Sequence, residues 1–234
     1  MKVTDIKKAV KSLTLQVTNT INTIGDMKLF SYAGSKTKFK PQFNHTVKKM
    51  GVKRVGTYIE AFAGSLESMW HNLELIQADK IVINDVNQRM INLYQQIQKN
   101  PELVFSMLEK LENKFQSMIL EEIPRKGFVP HDMRDIFENN FNFYKDIRTY
   151  FNLHNLDAYN AASMIFLLNH NFNGFYNENK KGGYNIGFNW KAKELNLNEI
   201  KTNLFNLSDF FNNNNIVFES LDIDSLISKY NDHD

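Results

Sequence analysis

The sequence predicts an α/β fold whose parallel sheet is interrupted by a long, mostly helical insertion. Two apolar runs with strand-like composition, residues 55–61 and 81–86, are each followed by apolar residues at helical spacing. Strands that alternate with helices are typical of a parallel sheet with helical crossovers. A third strand-like run, residues 216–219, follows only after a long stretch with helical periodicity. That stretch is therefore expected to form the insertion.

The same pattern divides the chain into four segments. Residues 1–26 carry apolar residues at helical spacing and end at a Gly-Asp pair, which predicts an N-terminal helical extension. Residues 27–99 are expected to form the first part of the α/β core, and residues 100–213 the helical insertion. Residues 214–234 are expected to begin the second part of the core and to be truncated there.

Composition excludes several classes of protein. The 234 residues contain no cysteine, which rules out a disulfide framework, a thiolate zinc site and a cysteine nucleophile. No apolar stretch is long enough to span a membrane, and the N-terminus lacks a signal-peptide core, so we expect a soluble cytoplasmic protein. The net charge is only +2, so any attraction to nucleic acid must come from local basic patches.

The first two strand ends form a candidate binding site. The first run ends in a turn that contains Gly64 and precedes a helix, an arrangement that lets a nucleotide-like ligand approach the backbone closely. The second run ends at Asp85, where dinucleotide folds place an acid on the ribose hydroxyls. Glu60, Ala63, Gly64 and Asp85 thus predict a site for an adenosine-containing cofactor. One glycine stands where the full fingerprint has three, so these residues alone equally allow a generic α/β domain.

Four segments, in this order, resemble the Dam-type adenine-specific DNA methyltransferases. Residues 32–36 are similar to the family's N-terminal cofactor motif, an aromatic and small residues followed by a lysine. Residues 60–65 resemble its glycine motif, and residues 84–87 with 91–94 resemble its second-strand motif. Residues 166–188 resemble its long signature rich in asparagine, glycine and aromatic residues. Together the segments lie in the family's order and spacing.

The resemblance implies a Rossmann-like methyltransferase core with a partial sheet, an inserted DNA-recognition region and the cofactor S-adenosylmethionine. Tyr32 and Lys36 would contact its adenosine and carboxylate ends, and Asp85 would accept hydrogen bonds from its ribose. Alternatives remain: Asp85 capping the next helix, Tyr32 as a core aromatic, and Lys36 as a solvated lysine. The complete set of cofactor-binding candidates is Tyr32, Lys36, Glu60, Phe62, Ala63, Gly64 and Asp85.

Residues 171–190 would contact double-stranded DNA, by the same resemblance. Asparagines can pair with adenine edges, lysines can meet phosphates, and tyrosines can stack on an unstacked base. A basic loop at Arg125 and Lys126 would add phosphate contacts. The alternative is a structural hairpin whose asparagines bond their own turns. The DNA-binding candidates are Asn173, Gly174, Tyr176, Asn179, Lys180, Lys181, Tyr184 and Asn185.

Some positions depart from the family's pattern. Ala61 and Gly187 stand where the family usually has proline, and Ser65 with Leu66 replaces a small, often Gly-containing pair. Asn177 stands where an arginine is expected, which removes a rigid fork of donors and leaves the recognition sequence open.

The family's catalytic Asp-Pro-Pro-Tyr motif is not found, because no two of the four prolines are adjacent. We therefore assign no catalytic residue and expect the chain alone not to methylate DNA. An enzyme truncated or split, with a second polypeptide supplying the catalytic half, is one interpretation. A non-catalytic relative that binds cofactor or DNA is another, and an unrelated α/β protein is a third. If the catalytic half is missing, the first strand would be an apolar sheet edge that invites self-association.

Overall fold

The structure is a computed structural model that describes residues 27–33, 39–119, 137–190 and 194–231. Three predictions lie outside these residues: the N-terminal helical extension, Lys36 as a cofactor contact, and the basic loop at Arg125 and Lys126. Among the helices in the described ranges, none has the length and apolar character needed to cross a membrane.

Eight α-helices and three β-strands form within the described ranges, which confirms the mixed α/β class with a small parallel sheet. The three predicted strands form, although the second begins at Gln77, four residues before its predicted start. In chain order the elements are α1 Lys40–Met50, β1 Arg54–Glu60, α2 Glu67–Leu73, β2 Gln77–Asn84, α3 Gln88–Lys99, α4 Pro101–Gln116, α5 Glu138–Leu153, α6 Ala158–His170, α7 Leu197–Asn213, β3 Ile216–Glu219 and α8 Ile223–Tyr230.

The sheet has the order β1-β2-β3, with both pairs parallel. β2 is central, so Val82 and Ile83 are fully buried between helices on the two faces. Among the described strands β1 pairs only with β2 and is an edge, as expected. The edge is not apolar along its whole length, however, because Arg54 pairs with Asp79 at 2.5 Å and Thr57 is exposed. That part of the expectation was wrong, since charged and polar side chains occupy the first half of β1.

α6 is the central helix of the molecule. All of its residues except Tyr159 and Asn169 are buried, and it packs against α3, α4 and α5. A helix that is apolar on every side is stable only when other elements surround it. The helices of residues 100–213 therefore share one hydrophobic core with the α/β part. The C-terminal end of α6 leads directly into the segment 171–190.

Asparagine side chains define where several helices begin. Asn87 accepts hydrogen bonds from the backbone N–H groups of Arg89 and Met90 and so caps α3. Asn100 caps α4 in the same way, with Pro101 in the first helical position. These caps fix the start of α3 directly after the strand end that carries Asp85.

A buried hydrogen bond between Glu112 and His170 joins α4 to the end of α6. His170 Nε2 lies 2.7 Å from Glu112 Oε2, and both side chains are almost fully shielded from solvent. The His170 ring also packs 4.2 Å from Phe115, between ring centroids. Burial acts to raise the pKa of Glu112, but hydrogen bonds from His170, Gln116 and the Leu195 N–H, with the charge of His170, hold that pKa below its ordinary value. The pair anchors the chain immediately before residue 171.

Candidate functional site

The turn after β1 is built by backbone contacts to the end of β2. The Ala63 N–H donates to the Asn84 carbonyl at 2.8 Å, and Gly64 has a positive φ of 44°. Asn84 is buried, and its side-chain N–H₂ donates to the carbonyls of Ala61 and Leu221. One asparagine thus joins the ends of β1 and β2 to the connection that follows β3. Its position as a polar residue ending an apolar strand was the sequence signal, and our prediction missed it.

Asp85 lies at the centre of the site. Its Oδ2 accepts a hydrogen bond from the Gly64 N–H, and its Oδ1 accepts one from the Asn87 N–H, both at 3.0 Å. The side-chain cap of α3 is Asn87, and Asp85 binds the N–H of that capping residue, so the alternative of a structural role at the start of α3 stays open beside the predicted ribose contact. A carboxylate has about four lone-pair positions, so each Asp85 oxygen can accept a further bond from a ligand.

Tyr32 closes the site from the N-terminal side. A Cβ added to Gly64 would lie 3.2 Å from Tyr32 Cε1, so only glycine gives the turn both its φ and this close approach. The Tyr94 hydroxyl, on α3, donates a hydrogen bond to the Gly64 carbonyl and so holds the turn in place. Burial and the nearby charge of Asp85 raise the pKa of Tyr32. Its hydroxyl therefore stays neutral at physiological pH.

Three cavities have Tyr32 in their walls, and two of these lie beside the end of β2. The smaller, of about 240 Å³, combines the turn after β1 with Asp85, and its lining includes Phe62, Ala63, Gly64 and Ser65. The larger, of about 720 Å³, runs over Val86 and Asn87 toward His154 and Tyr176. An apolar wall with a few convergent polar groups is typical of a small-molecule site. The structure therefore brings five predicted residues to one cavity: Tyr32, Phe62, Ala63, Gly64 and Asp85.

Glu60 does not line this cavity, and its predicted cofactor contact stays a prediction. Its carboxylate accepts hydrogen bonds from the Tyr58 hydroxyl at 2.7 Å and the Ser68 hydroxyl at 2.8 Å. Burial raises the pKa of Glu60, while those two bonds act in the opposite direction. Asn72 donates to the same Tyr58 hydroxyl. Glu60 therefore fastens α2 against β1.

The segment 171–190 forms a short hairpin-like loop. A 3₁₀ turn at Phe172–Gly174 opens it, and isolated antiparallel bridges pair Asn171 with Phe188 and Glu178 with Tyr184. The side chain of Asn171 bonds the Gly174 N–H, the Phe175 carbonyl and the Tyr184 hydroxyl. We call residues 171–188 the hairpin. The loop and hairpin predicted for this stretch are confirmed.

Two predicted DNA contacts within the hairpin are wrong. Gly174 is buried, and a Cβ there would lie 2.6 Å from the Ser31 carbonyl oxygen, so its role is close packing against the segment that carries Tyr32. Tyr184 is only 2% exposed, and its hydroxyl accepts a bond from Asn171. Its ring cannot stack on a base. Sequence could not separate it from Tyr176, which is half-buried and donates to Glu178.

The remaining DNA candidates lie on the exposed part of the hairpin. Lys180 and Lys181 are exposed at its tip, and Asn173 is exposed at its base. Asn179 accepts bonds from the backbone of Lys181 and Gly183, as the alternative of asparagines bonding their own turns predicts. Asn185 is exposed and accepts a bond from the Asn177 side chain. Two exposed rings that we did not single out, Phe172 and Phe175, lie beside them.

α5 supports the hairpin through three side chains. Asn152 makes a pair of bonds to the Tyr184 backbone, at 2.8 Å to its N–H and 2.9 Å to its carbonyl. Tyr144 and Arg148 both donate to the Ile186 carbonyl, at 3.1 and 3.0 Å. These contacts span more than 30 positions of the chain and gave no local sequence signal. They fix the base of the hairpin and leave its tip free.

Comparison with known proteins identifies the family. Residues 32–234 match the model for D12 class N6 adenine-specific DNA methyltransferases. The chain belongs to this family. It is 26% identical over 202 residues to the type II methyltransferase M.MjaIII of Methanocaldococcus jannaschii, covering 84% of this chain and 65% of that relative. It is also 26% identical over 160 residues to the type II methyltransferase M1.LlaDCHI of Lactococcus lactis subsp. cremoris, covering 66% of this chain and 47% of that relative.

The D12-class assignment confirms the resemblance seen in the four sequence segments. The matched region begins at Tyr32 and includes both the cavity and the hairpin. The chain spans about half to two-thirds of the length of these two relatives. Enzymes of this class use S-adenosylmethionine in general, and the residues around Asp85 fit such a group, because a half-buried carboxylate with free lone pairs faces a cavity beside an aromatic ring.

Proposed function

We propose that this chain binds S-adenosylmethionine in the cavity between Gly64 and Asp85 and presents its hairpin to double-stranded DNA. The reaction of its family is transfer of the methyl group to the exocyclic amine of adenine, and we expect this chain alone not to complete it. One observation carries the proposal: the Asp85 carboxylate, held by two backbone N–H groups, faces the cavity that Tyr32 and the glycine turn enclose. The family assignment supplies the chemistry that such a site serves.

Asp85 would hold the ribose of the cofactor. Each of its oxygens has one bond from the backbone, which fixes the orientation of the carboxylate before any ligand arrives. Hydrogen bonds to an ionised acceptor are about twice as strong as those between neutral groups. The two oxygens of one carboxylate can accept hydrogen bonds from the two adjacent hydroxyl groups of a ribose. A carboxylate fixed in advance loses little side-chain entropy when it binds them.

The cofactor supplies an electrophilic methyl group on a positively charged sulfur. Phe62 is 71% exposed and lines the smaller cavity together with Tyr32. The quadrupole of an aromatic face attracts cations such as this sulfonium, and the negative charge of Asp85 attracts it as well. The smaller cavity therefore suits the methionine end of the cofactor. The larger cavity, which continues past Asp85 over Val86, suits the adenine ring.

The hairpin would meet DNA through its exposed tip and rings. Lys180 and Lys181 are positively charged and exposed, so DNA phosphates can neutralise them. Phe172 and Phe175 are 59% and 47% exposed, and exposed rings of this kind can stack on bases. The rest of the chain has little excess charge, since the net charge is only +2. Local contacts at the hairpin would therefore provide the attraction.

The proposal assigns no catalytic residue to this chain. Orienting an amine toward a methyl group requires acceptors placed in near-attack geometry. No two prolines are adjacent in the 234 residues, so the family's Asp-Pro-Pro-Tyr motif is not among them. The second candidate function, a relative that binds cofactor or DNA without transferring a methyl group, follows from the same observation. The comparisons give no support to a second polypeptide, and neither candidate includes one.

A two-part assay tests the proposal. Ultraviolet cross-linking with methyl-tritiated S-adenosylmethionine measures binding, and transfer of tritium to adenine-containing duplex DNA measures catalysis. We expect labelling of the chain that unlabelled S-adenosylhomocysteine suppresses, and no transfer. Labelling together with transfer would show that the chain catalyses the reaction with residues to which we have given other roles. No labelling would contradict the proposed cofactor site.

A further inference from the structure

Arg89 connects the cofactor site to the tip of the hairpin. It lies in the first turn of α3, and its Nη1 donates to Glu178 Oε1 at 3.1 Å and to the Gly182 carbonyl at 3.4 Å. Its guanidinium carbon lies 5.0 Å above the centre of the Phe151 ring. The Arg89 side chain is only 19% exposed, so this ion pair is more shielded than an ordinary surface pair.

A continuous series of hydrogen bonds leads from the cavity to Arg89. The Gly64 N–H binds one oxygen of Asp85, and the Asn87 N–H binds the other. Asn87 in turn accepts a bond from the Arg89 backbone N–H at 3.0 Å. The carboxylate is therefore two hydrogen bonds from the first turn of α3. Arg89 and Glu178 also line the larger cavity, so a ligand there would contact the pair directly.

On the other side, Arg89 holds both strands of the hairpin beside its tip. Glu178 precedes Lys180 and Lys181, and Gly182 follows them. Tyr176 donates to the same Glu178 oxygen at 2.7 Å, so the carboxylate is held from two directions. The Asn179 N–H and the Gly183 carbonyl close the turn at 2.8 Å. Displacement of Arg89 would therefore release the tip and leave its turn intact.

The supports from α5 serve a different purpose. Asn152 bonds the hairpin at Tyr184, which pairs with Glu178, while Tyr144 and Arg148 bond it at Ile186, nearer its base. None of these three side chains lines the smaller cavity or bonds Asp85. Loss of one of them would loosen the hairpin without breaking the connection to the cofactor site. Arg148 is therefore a matched control for Arg89, because both are arginines that bond a hairpin carbonyl.

We propose that Arg89 is a positioning residue that couples the cofactor site to the DNA-contacting tip, so that cofactor and DNA each strengthen the binding of the other. A ligand that packs on Arg89 and Glu178 in the larger cavity orders the hairpin tip and so lowers the entropic cost of binding the second ligand there. Coupling of this kind is reciprocal by thermodynamic necessity. This inference rests on the proposed function, because it requires that both ligands bind.

Titration calorimetry measures the coupling directly. S-adenosylhomocysteine is titrated into the full chain alone and into the chain saturated with adenine-containing duplex DNA, for wild type, Arg89→Met, Glu178→Gln and Arg148→Met. We expect DNA to tighten cofactor binding about 5-fold or more in wild type and Arg148→Met, within the usual range of allosteric coupling. In Arg89→Met and Glu178→Gln we expect that ratio to fall close to one.

Amide chemical shifts provide a readout that needs no DNA. Addition of S-adenosylhomocysteine is expected to move the Gly182 and Gly183 signals in wild type and Arg148→Met, and to leave them in place in Arg89→Met. An Arg89→Met variant that keeps the wild-type ratio and shifts would overturn the coupling and leave the proposed function intact. Failure of wild type to bind either ligand would overturn the proposed function and the coupling with it. If Arg89→Met does not fold, Glu178→Gln, at a partly exposed position, decides the question.

Discussion

The Gly64 N–H donates a hydrogen bond to Asp85 Oδ2 at 3.0 Å, across 21 positions of the sequence. This bond joins the turn after β1 to the end of β2, which are neighbours in the sheet because the two strands are parallel. Asp85 therefore shapes the turn before it contacts any ligand. The site is preorganised by the same carboxylate that we expect to bind the ribose.

Gly64→Ala tests the shape of this turn. A methyl group there would lie 3.2 Å from the Tyr32 ring, at a φ of +44° that side chains rarely adopt. We expect a loss of stability of about 1–3 kcal/mol in urea unfolding and weaker binding of S-adenosylhomocysteine. Gly187→Ala is the matched control, since its added Cβ meets nothing within 4 Å. Equal stability and affinity in Gly64→Ala and wild type would show that the turn tolerates a side chain.

The sequence predicted those parts of the site that depend on local chemistry. The strand β3, the start of α4 at Pro101, and the strand-end position of Asp85 all follow from short patterns of apolar and capping residues. Which hairpin aromatic is buried could not be predicted, because Tyr184 is shielded by Asn171 and by Phe151 on a distant helix. The Arg89–Glu178 pair spans 89 positions and is likewise set by tertiary packing.

The buried Glu112–His170 pair makes stability depend on pH and on both partners. Glu112→Leu leaves a buried histidine and the Leu195 N–H without their acceptor. We expect a loss of about 3–5 kcal/mol in the free energy of unfolding at neutral pH. In Glu112→Leu/His170→Phe we expect most of this loss to be recovered, because the histidine ring already packs among Phe115 and Phe166. A double variant no more stable than the single one would contradict this account.

The direction of the pH effect follows from the lowered pKa of Glu112. Its ordinary value is 4.5, and the folded value lies below that. The ionised carboxylate therefore contributes its full stabilisation above about pH 4.5, and the contribution is lost as the pH falls through the lowered pKa. Urea unfolding of wild type at neutral pH and at successively lower pH is expected to show this loss. A Glu112→Leu variant with the same acid dependence as wild type would place the acid-sensitive group elsewhere.

Lys180→Ala/Lys181→Ala tests the hairpin tip as the DNA contact. Each lost phosphate contact is expected to flatten the slope of log affinity against log salt by about 0.9. The matched control is Lys48→Ala/Lys49→Ala, an exposed lysine pair at the end of α1. Fluorescence anisotropy with labelled duplex DNA at several salt concentrations measures both slopes. A tip variant whose slope equals that of wild type would remove these lysines from the interface.

An apolar patch beside β1, which is an edge among the described strands, predicts self-association. Ile59 at the end of β1 lines a cavity of about 260 Å³ with residues of α8, among them Ile223 and Ile227. Ile227 is 53% exposed. We expect Ile227→Glu to shift sedimentation velocity profiles toward monomer. Leu153→Glu, which changes a 76% exposed leucine at the end of α5, is expected to leave the profile unchanged. Equal profiles for wild type and Ile227→Glu would exclude this patch.

Calorimetric titration of S-adenosylhomocysteine into wild type and Asp85→Ala tests the central claim, that the carboxylate at the end of β2 holds the cofactor. Wild type is expected to bind, and Asp85→Ala to bind more weakly by about 1.5–3 kcal/mol, the value for a lost hydrogen bond to a charged group. Asp79→Ala, which removes an exposed carboxylate from the start of the same strand, is expected to bind as wild type does. Equal affinity in wild type and Asp85→Ala would contradict the account.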